Sequence, residues 1–261
     1  MAQQPLAERL RPQGLDDYIG QRHLVGDNGV FRKFIASGSV PSFILWGPPG
    51  VGKTTLAKIV ATVLDRPFYT LSAVTSGVKD VREVIEKAKN QHLFNARPAF
   101  LFIDEIHRFN KSQQDSLLGA VEQGIVTLIG ATTENPSFEV ISPLLSRCQV
   151  YVLKPMDDSE LRILLDRALT TDAELQKRNI EVHETEALFR FSGGDARKLL
   201  EIIEFQRLHI GQQRSECRLP LLAFGCAHHR HGAMCRAVVG TAHGDKLCAS
   251  RITFHELECH L

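Results

Sequence analysis

The chain has 261 residues, 43% of them hydrophobic, and a formal net charge of +1. This length allows one large domain or two modest ones, and the near-neutral charge gives no global argument for nucleic acid or membrane binding. No apolar run approaches the roughly 18–20 residues needed to span a bilayer. The segment 1–13 is polar and lacks the apolar stretch of a secretory signal, so we expect a cytoplasmic protein without membrane association.

Strands and helices alternate along the first 155 residues. Residues 1–40 are polar with few apolar positions, and the elements follow. Apolar runs predict strands at 42–46, 68–71, 99–103, 126–131 and 150–153. Apolar residues at helical spacing predict helices at 53–64, 78–89 and 111–122. This alternation indicates an α/β fold with a parallel five-stranded sheet covered by helices on both faces.

The character of the sequence changes after Pro155 and again after residue 205. Helical spacing at 159–169, 184–191 and 195–204 predicts a small helical domain, so we assign domains to 1–154 and 155–205. Residues 206–261 have neither period and contain five of the six cysteines and seven of the eleven histidines. This tail is disordered, not native to the fold (for example through a shifted reading frame), or metal-binding. The candidate metal ligands are Cys226, His228, His229, His231 and Cys235.

A glycine-rich loop lies between the first strand and the first helix of this pattern. Its strand–loop–helix context is the one that a phosphate-binding loop requires. Glycines let backbone N–H groups turn toward phosphates, and the helix N-terminus adds a positive dipole. Lys53 would reach the β- and γ-phosphates of ATP, and the Thr54 hydroxyl would bind Mg²⁺. The loop consists of Gly47, Pro48, Pro49, Gly50, Val51, Gly52, Lys53 and Thr54.

Two carboxylates follow the third strand directly. Ligands bind at the carboxyl ends of the strands in an open parallel sheet, and Asp104 and Glu105 lie at such an end. Asp104 would hold Mg²⁺, and Glu105 would act as general base toward the attacking water. The alternative is that the pair only caps the next helix.

Three further polar positions are candidates for contacts with the γ-phosphate. Thr133, with Asn135 as second choice, follows the fourth strand and could position the water, or belong to a simple polar turn. Arg147 could enter a neighbouring subunit's site as an arginine finger, or be a solvated arginine. Gly193 and Gly194 would supply a turn, and Asp195 would cap the helix that follows. Arg197 in its first turn could touch the γ-phosphate, or lie on the surface. Cys148 is interpreted as a packing residue and not as a nucleophile.

These motifs together resemble the AAA+ ATPases of the clamp-loader group. Residues 102–111 (Phe-Ile-Asp-Glu-Ile-His-Arg-Phe-Asn-Lys) and 130–138 (Gly-Ala-Thr-Thr-Glu-Asn-Pro-Ser-Phe) are similar to the replication-associated recombination protein family (RarA/MgsA), bacterial relatives of the Werner helicase interacting protein. The resemblance covers about residues 5–205. The opening segment 10–21 is similar to that group's N-terminal signature, which implies that Tyr18 and Ile19 lie against the adenine.

The resemblance implies roles and partners. Thr133 matches the first sensor, Arg147 the arginine finger acting in trans, and Arg197 the second sensor. Family members act at stalled forks, DNA ends and single-strand gaps, with single-strand-binding protein, as tetramers in the nucleoid region of the cytoplasm. Beyond Phe205 the sequence departs from the family pattern, so we expect ATP binding to be less affected than assembly and hydrolysis.

The resemblance favours a DNA-dependent ATPase of replication-fork maintenance and recombination repair. Two alternatives remain open: a clamp-loader subunit or Holliday-junction branch-migration ATPase, and a non-hydrolysing ATP-binding scaffold. Glu105 argues against the scaffold. DNA contact would need a local basic surface, since the net charge is small. The candidates are Lys79, Arg82, Lys87, Lys89, Arg108 and Lys111.

Overall fold

The structure is a computed structural model that describes residues 4–92, 97–177, 180–182 and 185–212, and the backbone of 222–223, 236–237 and 250–252. The strands are β1 (Phe43–Trp46), β2 (Phe68–Ser72), β3 (Ala99–Asp104), β4 (Val126–Thr132), β5 (Gln149–Val152), β6 (Ile180–Val182), β7 (Leu222–Ala223), β8 (Arg236–Ala237) and β9 (Ser250–Ile252). The helices are α1 (Leu6–Arg9), α2 (Arg22–Val25), α3 (Val30–Ser37), α4 (Lys53–Val63), α5 (Val78–His92), α6 (Lys111–Glu122), α7 (Pro136–Glu139), α8 (Ser142–Leu145), α9 (Asp158–Thr171), α10 (Ala173–Gln176), α11 (Glu186–Ser192) and α12 (Ala196–Gln212), with a short 3-10 helix at Ile106–Arg108.

The first five strands form one parallel sheet in the order β2-β3-β4-β1-β5. The predicted five-stranded parallel sheet is therefore confirmed. Trp46 aligns with Thr132, and Ile103 aligns with Gly130, so the carboxyl ends of β1, β3 and β4 meet at one edge. Every residue of β4 is buried, as its central place in the sheet requires.

Two hydrophobic clusters cover the two faces of the sheet. On one face, α3 and α4 pack on the strands, and Phe31 makes edge-to-face contacts with Phe43 and Tyr151 at 5.3 and 5.2 Å between ring centroids. On the other face, α5, α6 and α8 cover residues such as Leu101 and Ile103. Each fully buried large apolar side chain contributes roughly 1.5–3 kcal/mol. The sheet is thus the middle layer of three.

Strand β5 departs from the prediction of a sheet covered on both faces. Val150 and Val152 are 39% and 46% exposed. The reason is topological, because β5 is an edge strand that pairs only with β1. Its apolar sequence predicted the strand but could not show which strand would lie at the edge.

The chain divides into two compact units, Arg11–Met156 and the described parts of Met1–Leu10 with Asp157–Leu261. Residues 4–10, assigned from sequence to the α/β domain, therefore belong with the helical unit. The cause is ionic. Arg9 bonds Asp172 at 2.7 Å and Glu204 at 3.1 Å, and the Leu6 N–H donates to Glu204 at 2.9 Å. These contacts span more than 160 residues of sequence.

Asp172 has a second role in the helical unit. Its carboxylate accepts the N–H groups of Glu174 and Leu175 and so caps α10. Burial alone would raise the pKa of Asp172, but the bond from Arg9, the two N–H groups and the positive charge of Arg9 outweigh burial and lower it. The carboxylate is therefore ionised at neutral pH.

The predicted helices of this unit are present with shifted ends. The third helix, predicted to end at residue 204, continues to Gln212 as α12. The sequence did not predict α1 to α3, α7, α8 or α10, which are eight residues long or shorter. The five proposed metal ligands of the tail lie outside the described residues. No helix in the described ranges is long and apolar enough to cross a membrane.

Candidate nucleotide-binding site

The carboxyl edge of the sheet brings the predicted loop and the two predicted strand ends together. The Gly47 N–H, directly after β1, donates to the Thr132 carbonyl at the end of β4, at 3.2 Å. Asp104 ends β3 on the other side of β4. The structure therefore places the loop, Asp104 and the Thr132–Thr133 pair at the ends of three consecutive strands.

Two loop glycines are required by close contacts. A Cβ on Gly47 would lie 2.4 Å from the Leu153 carbonyl oxygen, and a Cβ on Gly52 would lie 2.3 Å from the Tyr18 hydroxyl. Gly52 also has a φ of +93°, which L side chains rarely adopt. Gly50 has a φ of +72°. The loop conformation is thus accessible only with glycine at these places.

Lys53 begins α4 and points back into the loop. Its buried ammonium donates to the carbonyl oxygens of Gly47 at 2.7 Å and Pro48 at 2.9 Å. Thr54 follows in the first helical turn and is half-buried, while Pro48 and Pro49 are exposed at the loop tip. A charge-assisted contact with carbonyl oxygens fixes the lysine where the loop turns.

The N-terminal signature lies against the same loop. The Tyr18 side chain is buried and its hydroxyl donates to the Val51 carbonyl at 3.0 Å. Ile19 is half-buried. Gln21 is buried, and its amide donates to the Lys154 carbonyl at 2.6 Å and accepts the Lys154 N–H at 2.9 Å. Segment 18–21 is thereby held between the loop and the end of β5.

The acidic pair occupies two different environments. The Asp104 carbonyl accepts the Ala73 N–H at 3.0 Å, as its pairing with β2 predicts. Glu105 leaves the strand with a φ of +55°, a left-handed conformation that costs an L residue roughly 1–2 kcal/mol. A strained residue at such a place is a recognised mark of functional sites.

Contacts of the Glu105 carboxylate distinguish the two candidates for the water-positioning role. The Thr133 hydroxyl donates to Glu105 Oε2 at 3.3 Å. The Asn135 side-chain oxygen instead accepts the Ser137 N–H at 3.0 Å and caps α7. Thr133, the first choice from sequence, is therefore the candidate whose side chain contacts Glu105.

Arg147 lies on the surface just after α8. Its guanidinium forms an ion pair with Glu122 and donates to the Pro143 carbonyl at 2.7 Å. The side chain remains 40% exposed. Cys148, the next residue, is a free thiol whose pKa is raised by burial to about 12. A thiol that stays protonated at neutral pH agrees with its interpretation as a packing residue.

Arg197 lies in the other compact unit, in the first turn of α12. Gly193 and Gly194 have φ values of +59° and +80°, which supply the predicted turn. Asp195 Oδ1 accepts the Lys198 N–H at 2.9 Å and caps the helix, as predicted. The Arg197 side chain is exposed.

Sequence reasoning missed two residues of this region. His107 lies within hydrogen-bonding distance of Glu105 and Thr132. The buried Gln114 donates to the Phe109 and Glu139 carbonyls and accepts the Ile141 N–H, all between 2.9 and 3.0 Å. It therefore joins α6 to the segment between α7 and α8. The sequence signal that could have found them is their closeness to Glu105, which His107 follows by two residues and Gln114 by nine.

The donor set at this edge is suited to magnesium. A hydroxyl and a carboxylate, Thr54 and Asp104, are hard oxygen ligands of the kind Mg²⁺ prefers, with further positions left to phosphates and water. Among the described residues, no group of three or more His, Cys, Asp or Glu side chains could hold a metal ion. A metal bound mainly by protein side chains is therefore not supported in this part of the chain. The six basic residues considered for DNA are all exposed.

Comparisons with known proteins agree with this geometry. Residues 43–156 match the ATPase family associated with various cellular activities (AAA). Replication-associated recombination protein A of Haemophilus influenzae is 47% identical over 203 residues, covering 77% of this chain and 45% of that protein. ATPase WRNIP1 of Dictyostelium discoideum is 48% identical over 202 residues, covering 77% of this chain and 23% of that protein.

A solved structure extends the comparison. The Thermotoga maritima RuvB Holliday junction branch migration motor is 30% identical with a TM-score of 0.64, covering 78% of this chain and 67% of that one. The resemblance inferred from the motifs, and the AAA fold, are confirmed. This chain nevertheless spans less than half the length of the two curated relatives.

Proposed function

The chain belongs to the AAA family of ATPases, and on that premise we propose that it binds ATP with Mg²⁺ and hydrolyses the ATP in replication-associated recombination and repair of DNA. The observation that supports hydrolysis most directly is the contact of Thr133 with the Glu105 carboxylate at 3.3 Å, beside Asp104. A binding site alone would need no carboxylate held in this way. The names of the relatives support the recombination context.

The residues take the following roles in this proposal. The loop from Gly47 to Thr54 holds the phosphates through its backbone N–H groups, and Lys53 exchanges its carbonyl contacts for phosphate oxygens. Thr54 and Asp104 would hold Mg²⁺, which neutralises negative charge on the phosphates when bound. Glu105 accepts a proton from the attacking water, and Thr133 orients it. Tyr18 and Ile19 lie on the adenine side of the loop.

The remaining two roles depend on contacts that bring groups to the site. Arg147 acts in a neighbouring copy as the arginine finger, after exchanging its ion pair with Glu122 for a phosphate. Arg197 contacts the γ-phosphate, the role that its match to the second sensor implies. Oligomerisation, contact with single-strand-binding protein and binding to gaps, ends or forks of DNA belong to this proposal. The support is the similarity to the replication-associated recombination proteins.

Two variants separate binding from chemistry. Lys53→Ala should lose ATP binding, measured with a fluorescent ATP analogue, because the principal phosphate-binding charge is removed. Glu105→Gln should keep binding and lose about 100-fold or more in phosphate release. Turnover that survives Glu105→Gln within threefold would overturn the assignment of the base. Binding by the wild-type chain without any turnover would instead indicate a scaffold.

A complementation experiment tests whether the site is shared between copies. Arg147→Ala and Glu105→Gln should each be inactive alone. When they are mixed, about a quarter of the interfaces of a randomly assembled homo-oligomer would combine an intact Glu105 with an intact Arg147. Recovered phosphate release therefore supports a finger acting in trans. Arg22→Ala, another exposed arginine of the same unit, is the matched control and should remain fully active.

The similarity to RuvB favours a second candidate, a branch-migration motor. Phosphate release measured with forked, gapped and four-way-junction DNA separates the two. Stimulation by forks and gaps supports the first proposal, and stimulation only by four-way junctions supports the second. If exposed basic residues bind DNA phosphates, the affinity should fall steeply with salt. A flat salt dependence would contradict a phosphate-mediated contact.

A further inference from the structure

His107 connects the Glu105 carboxylate to the buried end of β4. Its Nδ1 lies 3.2 Å from Glu105 Oε2 and 3.0 Å from the Thr132 hydroxyl oxygen. The imidazole is 13% exposed, and Thr132 is completely buried. The histidine follows the left-handed residue Glu105 in the short 3-10 helix, so the turn that directs the carboxylate also directs the ring.

The contacts determine which ring nitrogen holds the proton. A carboxylate oxygen 3.2 Å from Nδ1 favours a proton on that nitrogen, because a lone pair there would face the oxygen's own lone pairs. The Thr132 oxygen accepts the Glu134 N–H at 3.0 Å and donates its own proton to the Glu134 carbonyl at 3.2 Å. That oxygen therefore also faces Nδ1 as an acceptor. One arrangement, with the proton on Nδ1, satisfies every contact.

Both contacts of the Glu105 carboxylate fall on the same oxygen. The Thr133 hydroxyl donates to Oε2 at 3.3 Å and His107 Nδ1 lies 3.2 Å from the same oxygen, whereas within the described residues no protein donor bonds Oε1. An oxygen without a protein donor is the more basic of the two and the one open to water. The contacts thus fix the carboxylate and select Oε1 as the proton acceptor.

We propose that His107 is a positioning residue for the reaction, which holds the Glu105 carboxylate through its Nδ1–H, a tautomer that the Glu105 carboxylate selects and Thr132 supports. The inference rests on the proposed hydrolysis by Glu105. The histidine touches neither substrate nor metal in this proposal and acts only through the carboxylate. It reduces the freedom of a side chain that is 30% exposed and would otherwise have only the longer contact with Thr133.

Three substitutions of His107 test the donor. An asparagine amide nitrogen can take the place of Nδ1, whereas a glutamine amide reaches the place of Nε2. His107→Ala and His107→Gln should lower kcat about tenfold, and His107→Asn should remain within about threefold of wild type. The affinity for ATP should not change in any of them. Equal loss in the asparagine and alanine variants, or an unchanged kcat in the alanine variant, would overturn the proposal.

A measurement on the protein without nucleotide tests the same contact independently of turnover. Histidine-selective ¹⁵N NMR reports which ring nitrogen is protonated, and the signal absent from His107→Asn identifies His107. We expect the Nδ1–H tautomer in the wild-type chain, and loss of that preference in Glu105→Ala. An Nε2–H tautomer in the wild type would contradict the proposal.

The two experiments separate this inference from the proposed function. If the wild-type chain hydrolyses ATP and His107→Ala does so equally well, the positioning role fails while the function stands. If the wild-type chain releases no phosphate, the proposed hydrolysis fails. The NMR result then still decides whether the Nδ1–H contact exists.

Discussion

The two edges formed by the ends of β2, β3 and β4 differ in how tightly they hold a charged side chain. We call them the amino edge and the carboxyl edge. At the amino ends, Arg66 bonds the Pro98 carbonyl and the Thr127 hydroxyl, the latter at 2.7 Å, with its guanidinium 3.9 Å from the centre of the Phe100 ring. At the carboxyl ends, the contacts of Glu105 are 3.2–3.3 Å long and the side chain is partly exposed. Short buried bonds stabilise the fold, and longer ones suit groups that exchange partners during a reaction.

Among the polar side chains, Arg66 provides the largest expected effect on stability. Burial lowers its pKa to about 10, with a smaller contribution from the charge of Arg97, so it remains charged at neutral pH. Arg66→Met should cost about 3 kcal/mol, because it leaves buried acceptors without donors and removes the contact with Phe100. Urea unfolding measures this free energy. ATP affinity should not change, since the site lies at the other end of the strands.

A milder change at the same position sharpens the comparison. Arg66→Lys keeps the charge but cannot reproduce the forked contact, so its loss should be intermediate. Lys87→Ala, at an exposed pair with Glu83, is the control and should leave the unfolding midpoint unchanged. If Arg66→Met lowered the free energy of unfolding by less than about 1 kcal/mol, the contacts of Arg66 would not be important for stability.

The ion pair between Arg9 and Asp172 in the helical unit should stabilise the fold, as Arg66 does at the amino edge. Asp172→Asn keeps a capping side chain but removes the charge that faces Arg9, at a cost of about 2 kcal/mol near pH 7. The native pKa of Asp172 is lowered, so its contribution is complete above the unfolded pKa of roughly 3.9 and disappears as the pH falls through the native pKa.

Hydrogen exchange of α9 and α12 amides would measure this difference within the helical unit. Wild type and Asp172→Asn should differ at pH 7 and converge only when the pH falls below the lowered native pKa of Asp172. Glu174→Gln, which weakens a more exposed pair with Lys177, is the matched control and should match the wild type. A difference that persists at low pH would indicate that packing, and not charge, is responsible.

At the carboxyl edge we expect the opposite effect on stability, because the left-handed backbone of Glu105 lowers the free energy of unfolding. Glu105→Gly removes the left-handed strain and Glu105→Ala keeps it, while both remove the carboxylate. The glycine variant should therefore be about 1 kcal/mol more stable than the alanine variant. Chemical denaturation of both proteins measures the difference. An alanine variant as stable as the glycine variant would show that the backbone is not strained.

Phe138 gives the smallest expected effect. It lies on α7, the helix that follows β4 along the chain, and is 85% exposed. Phe138→Ser should change the unfolding free energy by less than about 0.5 kcal/mol. Phe31→Ala, at a completely buried ring, should cost about 3–5 kcal/mol and is the comparison. A large loss in Phe138→Ser would mean that this ring is covered in the native protein.

The sequence predicted what depends on neighbours along the chain and missed what depends on distant contacts. The loop, Asp104 with Glu105 and the capping role of Asp195 are local patterns, and their geometry could be expected from a few residues. The direction of His107 depends on the left-handed turn at Glu105, which no residue type signals. The place of residues 4–10 depends on ion pairs to Asp172 and Glu204, which lie far along the chain.

Gly47 bears on how inherited or engineered variants of this loop should be interpreted. Any replacement puts a Cβ 2.4 Å from the Leu153 carbonyl, a backbone atom that cannot rotate away. A mutational scan that scores protein abundance would therefore penalise every substitution of Gly47, whereas replacements of the exposed Pro48 would keep normal abundance. Neighbouring positions of one motif would then fall into separate phenotypic classes, one of misfolding and one of altered nucleotide handling.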